Sequence, residues 1–535
     1  MHTVPVLVVG GGPVGLVTAF ELQSRGIRTL LIERNPGTTR HPKMDVTNGR
    51  SMEHFRRLGI AELIRDAAVP RKNCMDVVWV TRLAEWELAR FRYPDVHTWR
   101  ARIKQYNDGS QPLEPNMRLS QVVLEPVLRE LLELSPLVEL RFGWTCESVE
   151  QNADGVTATI RNIETNEVEQ VQCQLLAGCD GGSSCVRQCL GVECAGTYSV
   201  LPFYMVHYRT PARELMRRHG IAWHYQSPVG GTLIAQDDDE TFTLHNIVPP
   251  GSDPRAIDPK SFLFESLGME FPCEILKANP WSPHLVVAGS YGRGRIWMAG
   301  DSVHQFIPTG GYGMNTGVCD AVDLAWKFAA VLQGWGGPNL LTSIDAERRP
   351  VALTNCEASE AHMAIRIQIA AEYTPLIHQN SAAGATAREA LGRRVLELGN
   401  HENESLGIEL GYRYRGSPIV CNEGDEPPWN KLHHVPSTWP GVRAPHVFLE
   451  DGTAIFDRFG RWFTLLNFGR ADPAALVAAA RAREVPLTVV NIEDPHARSI
   501  YERDLVLIRP DQHVGWRGNT VPRDALSIID RVRGA

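Results

Sequence analysis

Val4 to Val9 is an unbroken apolar run of strand length, and Gly10-Gly11-Gly12-Pro13-Val14-Gly15 follows it at once. A run without polar alternation suits a strand buried on both faces of a parallel sheet. The glycines satisfy G-x-G-x-x-G and open a helix whose buried stripe is Leu16, Phe20 and Leu22. A second apolar strand, Thr29 to Ile32, ends at Glu33 with Arg34 behind it, eighteen residues after Gly15. The parts have physical tasks: a tight turn, close backbone approach to a pyrophosphate, helix-on-strand packing, and a carboxylate for ribose hydroxyls. A glycine-rich turn in a nucleotide-free α/β protein would need only the first. The ordered set points to a dinucleotide-binding βαβ unit.

Two more segments read as short apolar strands, each delivering an acid. Leu175 to Gly178 runs into Cys179-Asp180-Gly181-Gly182-Ser183-Ser184, with Val186 and Arg187 behind. Arg295 to Ala299 runs into Gly300-Asp301, then through His304 and Pro308 to Thr309-Gly310-Gly311-Tyr312-Gly313-Met314-Asn315. This last stretch predicts a glycine-rich loop and a helix opening at Val318. A helix start offers unpaired N–H groups and partial positive charge, which suits a ring that gains negative charge, as a flavin does on reduction. Asp301 is placed to accept hydrogen bonds from a polyhydroxyl chain. An ordinary strand-turn-helix connection is the competing reading.

The three segments together carry G-x-G-x-x-G, D-G-x-x-S-x-V-R and G-D followed by P and G-x-G-x-N. In that order and spacing the chain resembles the group A flavoprotein aromatic hydroxylases, the family of p-hydroxybenzoate hydroxylase and phenol hydroxylase, over nearly its whole length. The resemblance implies FAD held by Gly10, Gly12, Pro13, Val14, Gly15, Glu33 and Arg34. Asp180, Asp301, Pro308, Gly311, Gly313, Met314 and Asn315 complete its later motifs. Arg118, Gln121 and Glu125 look like the family's helix whose glutamine approaches the FAD. Arg40-His41-Pro42-Lys43-Met44 departs from the commoner Pro-Arg-Ala. Arg40 is placed in the cofactor set, with Lys43 as the other basic candidate.

The implied reaction takes NAD(P)H, O2 and a small phenolic substrate and hydroxylates the ring through a flavin C4a-hydroperoxide. A phenol, with pKa near 10, is mostly neutral at pH 7, so help in removing its proton activates the ring. Asp45, five residues before Arg50, is the catalytic candidate, matching an aspartate of the phenol hydroxylase branch. Its competing role is to cap a helix starting near Asn48. Two rival functions are a flavin-dependent halogenase and a non-catalytic flavin-binding redox sensor. The halogenase segment W-x-W-x-I-P is missing, and the intact Pro308 to Asn315 loop speaks against a sensor.

The expected fold class is α/β, with a discontinuous Rossmann-like FAD-binding domain of the glutathione-reductase type at 1–73, 111–195 and 285–360. A β-sheet substrate domain takes 74–110 and 196–284; Phe203, Tyr204, His207, Tyr208, His224, Tyr225 and His245 belong to it. Alternate residues of a strand face opposite sides, so only some of these line a cavity. Val351 to Leu398 reads helical, and a helical connector is expected at 361–430. A thioredoxin-like domain at 431–535 has strands at 462–468, 487–492, 504–509 and 513–517 and a helix at 473–483. It contains no cysteine, which excludes redox chemistry there and leaves packing or dimerisation.

A net charge of −8 and the lack of a long basic run argue against nucleic acid. No apolar stretch reaches membrane-span length. A first strand at Val4 leaves no room for a signal peptide, so a cytoplasmic homodimer is expected. The eleven cysteines are scattered. Cys185, Cys189 and Cys194 lie close together, but without histidines at ligand spacing they read as free thiols, and no metal site is expected.

Overall fold

The computed structural model describes residues 2–535. Five parallel strands form the middle of an eight-stranded central sheet, in the order Ile296–Met298, Val168–Gly178, His2–Val9, Thr29–Glu33 and Val138–Phe142, with three antiparallel strands added at its margins. The apolar run at the N-terminus takes the middle place, and Val6, Leu7 and Val8 have no exposed surface. Val9 is level with Ile32 on one side and Gly178 on the other, and Gly178 is level with Met298. Gly10, Glu33, Asp180 and Gly300-Asp301 therefore leave the sheet along one edge. The helix Pro13–Ser24 packs against Tyr312–Leu332.

A second, seven-stranded sheet runs in the order 274–281, 203–209, 241–247, 231–235, 224–227, 77–80 and 87–91. Its strand pairing explains which candidate side chains share a face. Tyr204, Tyr208 and Tyr225 join Leu233, Phe242 and Leu244 in an apolar core closed by Phe262, Leu263 and Leu267 of the helix Pro259–Leu267. His207, His224 and His245 take the alternate positions, as does Phe203. The edge strand Glu274–Trp281 lies outside the strands expected from sequence. Its Pro280 removes a backbone donor and tolerates only such an edge.

Two helical expectations change. The helix after the glycine-rich loop opens at Tyr312, not Val318, because Gly311 takes a left-handed φ of +64° and turns the chain early. Val351 to Leu398 is not one helix. Asn339–Ala371 ends before a single turn at Pro375–His378, and Ala382–Leu398 follows. Among the described residues, no helix is long and apolar enough to cross a membrane.

The last hundred residues form a four-stranded sheet in the order 487–491, 463–467, 505–508 and 514–518. Both faces are covered. Phe463, Leu465, Leu505 and Leu507 pack with Trp326 and Leu340 of the two long helices and with Trp335 in the turn between them. Leu466, Val506 and Ile508 pack with Val447, Ile455 and Tyr501 on the other face. Beside the first of these faces, Arg509 reaches Glu347, Asp323 and Asp511, while Lys327 pairs with Asp323 and Glu347. All of these side chains are buried.

Candidate active site

Two helix N-termini open at the sheet edge where the acids emerge. Gly12 caps Pro13–Ser24 and Gly311 caps Tyr312–Leu332; neither first turn holds an acidic side chain or a side-chain cap. Their N–H groups and dipoles are thus available to an anionic or electron-rich group. The glycines are sorted by what surrounds them. A Cβ on Gly10 would meet the Cys179 carbonyl at 2.2 Å, and one on Gly15 would meet the Gly10 carbonyl at 1.9 Å. At Gly12 and Gly313 nothing lies within 4 Å. Close packing behind and open space in front is what a bound dinucleotide requires, so these residues fit FAD.

The acids differ in what they touch. Glu33 accepts from the Gly11 N–H at 2.7 Å and from Asn35. Asp180 is tied to the Ser184 hydroxyl at 2.5 Å and the Val186 N–H at 3.2 Å; burial pushes its carboxyl up, against these hydrogen bonds. Asp301 lies not on the strand but in the single turn Gly300–Ser302 beyond it, with its side chain exposed. That turn is fixed from behind: Asp320 accepts from the Gly300 N–H at 3.1 Å and is itself held by His304 and Arg348. Replacing Asp301 by alanine should therefore leave the fold intact and weaken FAD retention by about 1–3 kcal/mol. Titration of the flavin-free protein with FAD measures this, and unchanged affinity would remove Asp301 from the cofactor site.

Three residues named from sequence are occupied with protein partners. Arg118 makes a two-pronged pair with Asp238 at 2.5 and 2.7 Å and also donates to the Cys74 and Ala235 carbonyls. It joins the second sheet to the first unit. Asn315 donates to the Val46 and Gly311 carbonyls and accepts from the Asn48 N–H and the Ser51 hydroxyl. Gln121 donates to Glu125, whose other oxygen takes the Thr39 N–H. Arg34 and Arg40 are exposed, as is Lys43, and Pro308 and Met314 lie beside the open helix start.

Asp45 does not cap a helix. The cap of Gly49–Arg57 is Asn48, which accepts from the Ser51 N–H. The loop at Asp45 is clamped by backbone bonds, its carbonyl accepting from Leu119 and that of Met44 from Gln121. So held, the Asp45 carboxylate reaches across to the second sheet. One oxygen accepts from Trp223 Nε1 at 2.6 Å and meets His224 Nε2 at 3.1 Å. Burial opposes ionisation of Asp45, but the His224 and Trp223 hydrogen bonds outweigh it and hold the carboxyl below the usual range.

The face of the second sheet turned this way is polar. Buried side-chain atoms without a hydrogen-bond partner cluster on it: His224 Nδ1, Gln226 Oε1, His245 Nδ1, Asn279 Oδ1 and Trp281 Nε1. Unpaired buried polar groups are rare and each calls for an explanation. Arg366 and Glu402 close one end, bound to Thr232 and Gln226. Phe203 stacks on Trp281 at the other. Sequence reasoning missed Trp223, Gln226, Asn279, Trp281, Arg366 and Glu402. For Gln226, Asn279 and Trp281 the only signal was alternation with the apolar core face; Arg366 and Glu402, on a helix and a turn outside the sheet, had none.

A dinucleotide cradle beside a polar, partly unsatisfied sheet face fits a flavoprotein that binds a second ligand on that face. Residues 3–359 match the FAD binding domain family, and residues 437–534 match the C-terminal domain of aromatic-ring hydroxylases. The chain is 37% identical to the FAD-dependent monooxygenase apdD of Emericella nidulans, over 96% of this chain and 88% of that one. It is 28% identical to a Pseudomonas phenol 2-monooxygenase, over 97% and 90%. Among solved structures, RebC with bound 7-carboxy-K252c matches with a TM-score of 0.91 at 34% identity, covering 100% of this chain and 99% of RebC. The chain belongs to the group A flavoprotein hydroxylases. It is an FAD-dependent monooxygenase of aromatic substrates.

Proposed function

We propose that the protein hydroxylates a phenolic ring, taking reducing equivalents from NAD(P)H, and that its substrate is larger than a single ring. FAD, when bound, supplies reduced flavin chemistry toward O2. This chain's residues bind, orient and exclude water. Gly12 at the first helix start would receive the pyrophosphate, with Gly10 and Gly15 allowing the tight turn and close packing behind it and Glu33 placed for a ribose. Asp180 and Asp301 would hold the linking chain, and the N–H groups at the start of Tyr312–Leu332 would be offered to the electron-rich ring.

The observation that carries the reading is the strip of unpaired polar atoms opposite Asp45. From Asn279 to Gln226 it crosses four strand intervals, roughly 19 Å at the usual strand spacing. One benzene ring would pair with a single group of this strip and leave the rest unsatisfied. A substrate with several fused or linked rings, hydroxylated at one end and carrying polar substituents at the other, satisfies them together. The Phe203–Trp281 stack offers that far end an aromatic wall. A relative named as a putative polyketide hydroxylase supports the size argument, while the phenol 2-monooxygenase supports only the phenolic class.

NAD(P)H oxidation with single-ring and multi-ring phenols, with product mass, tests it. The multi-ring compounds should show kcat/KM at least about tenfold higher, the factor that ~1.4 kcal/mol of added binding gives. Products should gain one oxygen atom. Preference for unsubstituted single-ring phenol would overturn the size argument. Consumption of NAD(P)H with no oxygenated product from any phenol would overturn the phenol assignment.

A further inference from the structure

We propose that His224, not Asp45, takes the proton of the substrate's ring hydroxyl, and that Asp45 serves as its positioning residue. The proposal rests on the hydroxylation of a phenol argued above. An ionised carboxylate only accepts hydrogen bonds, so the 3.1 Å contact to Asp45 fixes the hydrogen of His224 on Nε2. The lone pair is then on Nδ1. That atom is buried and has no partner among the described residues. It sits on the polar sheet face, one strand from Ile234 and two from Thr243, within the strip assigned to substrate.

Asp45 is poorly suited to the direct role. One of its oxygens is already committed to holding Trp223 and the His224 ring. A carboxylate also lies ~6 pKa units below a phenol, whereas an imidazole lies only ~3.5 below. Transfer to the imidazole is correspondingly less uphill. In the step, the substrate O–H bond breaks and an N–H bond forms at Nδ1. The electron pair stays on oxygen and is shared into the ring. The imidazolium so formed is paired with the Asp45 carboxylate, and the proton returns when the hydroxylated product leaves. The charged and titratable groups facing this pair are His245 on the sheet, Glu402 and Arg366 from the connector, and Arg118 behind Asp45.

The roles separate by direct titration of a bound phenol. Holoprotein is saturated with 4-nitrophenol, and the phenolate absorption band is followed against pH. In the wild type the bound probe should ionise at lower pH than in solution. His224→Gln should remove that shift, raising the apparent ionisation midpoint by about one unit or more, at unchanged flavin content and thermal midpoint. Asp45→Asn should give a smaller loss, since asparagine can still hold the ring. His224→Asn is the second variant if His224→Gln loses flavin. A full shift retained in both histidine variants, with its loss in Asp45→Asn, would return the proton to Asp45 and overturn the proposal. A shift lost on this probe while the phenol panel still gives oxygenated product in the wild type upholds His224 independently of substrate size. A wild type that binds no phenol and oxygenates none would fail the functional reading itself, and the dyad with it.

Discussion

Exchange of Arg509 for methionine is expected to cost about 3–5 kcal/mol of folding stability, the range for removing one partner of a buried ion pair. Arg509 lies in the last unit of the chain, while Glu347 and Asp323 lie on the two long helices behind the cofactor. The guanidinium reaches Glu347 at 2.5 and 2.8 Å and Asp323 at 3.4 Å. Burial opposes the ionisation of Glu347, but Arg509 and Lys327 outweigh it and hold the carboxyl low. Methionine fills most of the volume yet leaves three carboxylates, Glu347, Asp323 and Asp511, with the Lys327 ammonium in a dry site. The cost falls on the docking of the last unit, so the urea midpoint should drop and apolar surface around Phe463 and Leu465 should open. An exposed pair gives the control: Arg393→Ala, opposite Glu389, should change stability by under about 1 kcal/mol. Equal effects of the two variants would show that the buried cluster does not fasten the unit.

The cofactor half of the molecule was legible because its chemistry is local. A turn glycine, a helix start and a strand-end acid are each specified within six residues, and Gly12, Glu33, Asp180 and Asp301 meet because parallel strands end level. The sheet opposite was legible only in part. Its strands at 203–209, 224–227 and 241–247 show β-branched and aromatic residues, but which face meets the cofactor depends on pairing register. Tyr204 and His207 look equally eligible until the strand alternation assigns one to the core. Asp45 was singled out from sequence without its contacts, since Trp223 and His224 are 178 and 179 residues away. For the same reason Arg118 read as a cofactor contact, though its bond to Asp238 spans 120 residues. The helix start at Tyr312 was misjudged for a smaller cause. Gly313 was read as part of the loop, whereas only Gly310 and Gly311 need the left-handed conformation that keeps the loop open.

Alanine at Gly12 and at Gly15 should both deplete FAD, for opposite reasons that two measurements distinguish. At Gly15 the new methyl would lie 1.9 Å from the Gly10 carbonyl oxygen. The helix Pro13–Ser24 must then lift off the central strand, and overpacking of this kind costs about 1–3 kcal/mol or more. Flavin content and the thermal midpoint of the flavin-free protein should fall together. Gly12 has φ of −73°, open to any residue, and its methyl would meet no protein atom within 4 Å. The flavin-free protein should keep its thermal midpoint. Its affinity for FAD should still drop at least about tenfold, a loss of ~1.4 kcal/mol, because the methyl occupies the space before the helix N–H groups where phosphate must approach. Undiminished affinity in Gly12→Ala would mean that the pyrophosphate does not approach this helix start. A stable Gly15→Ala that still lost flavin would shift the cause from packing to contact.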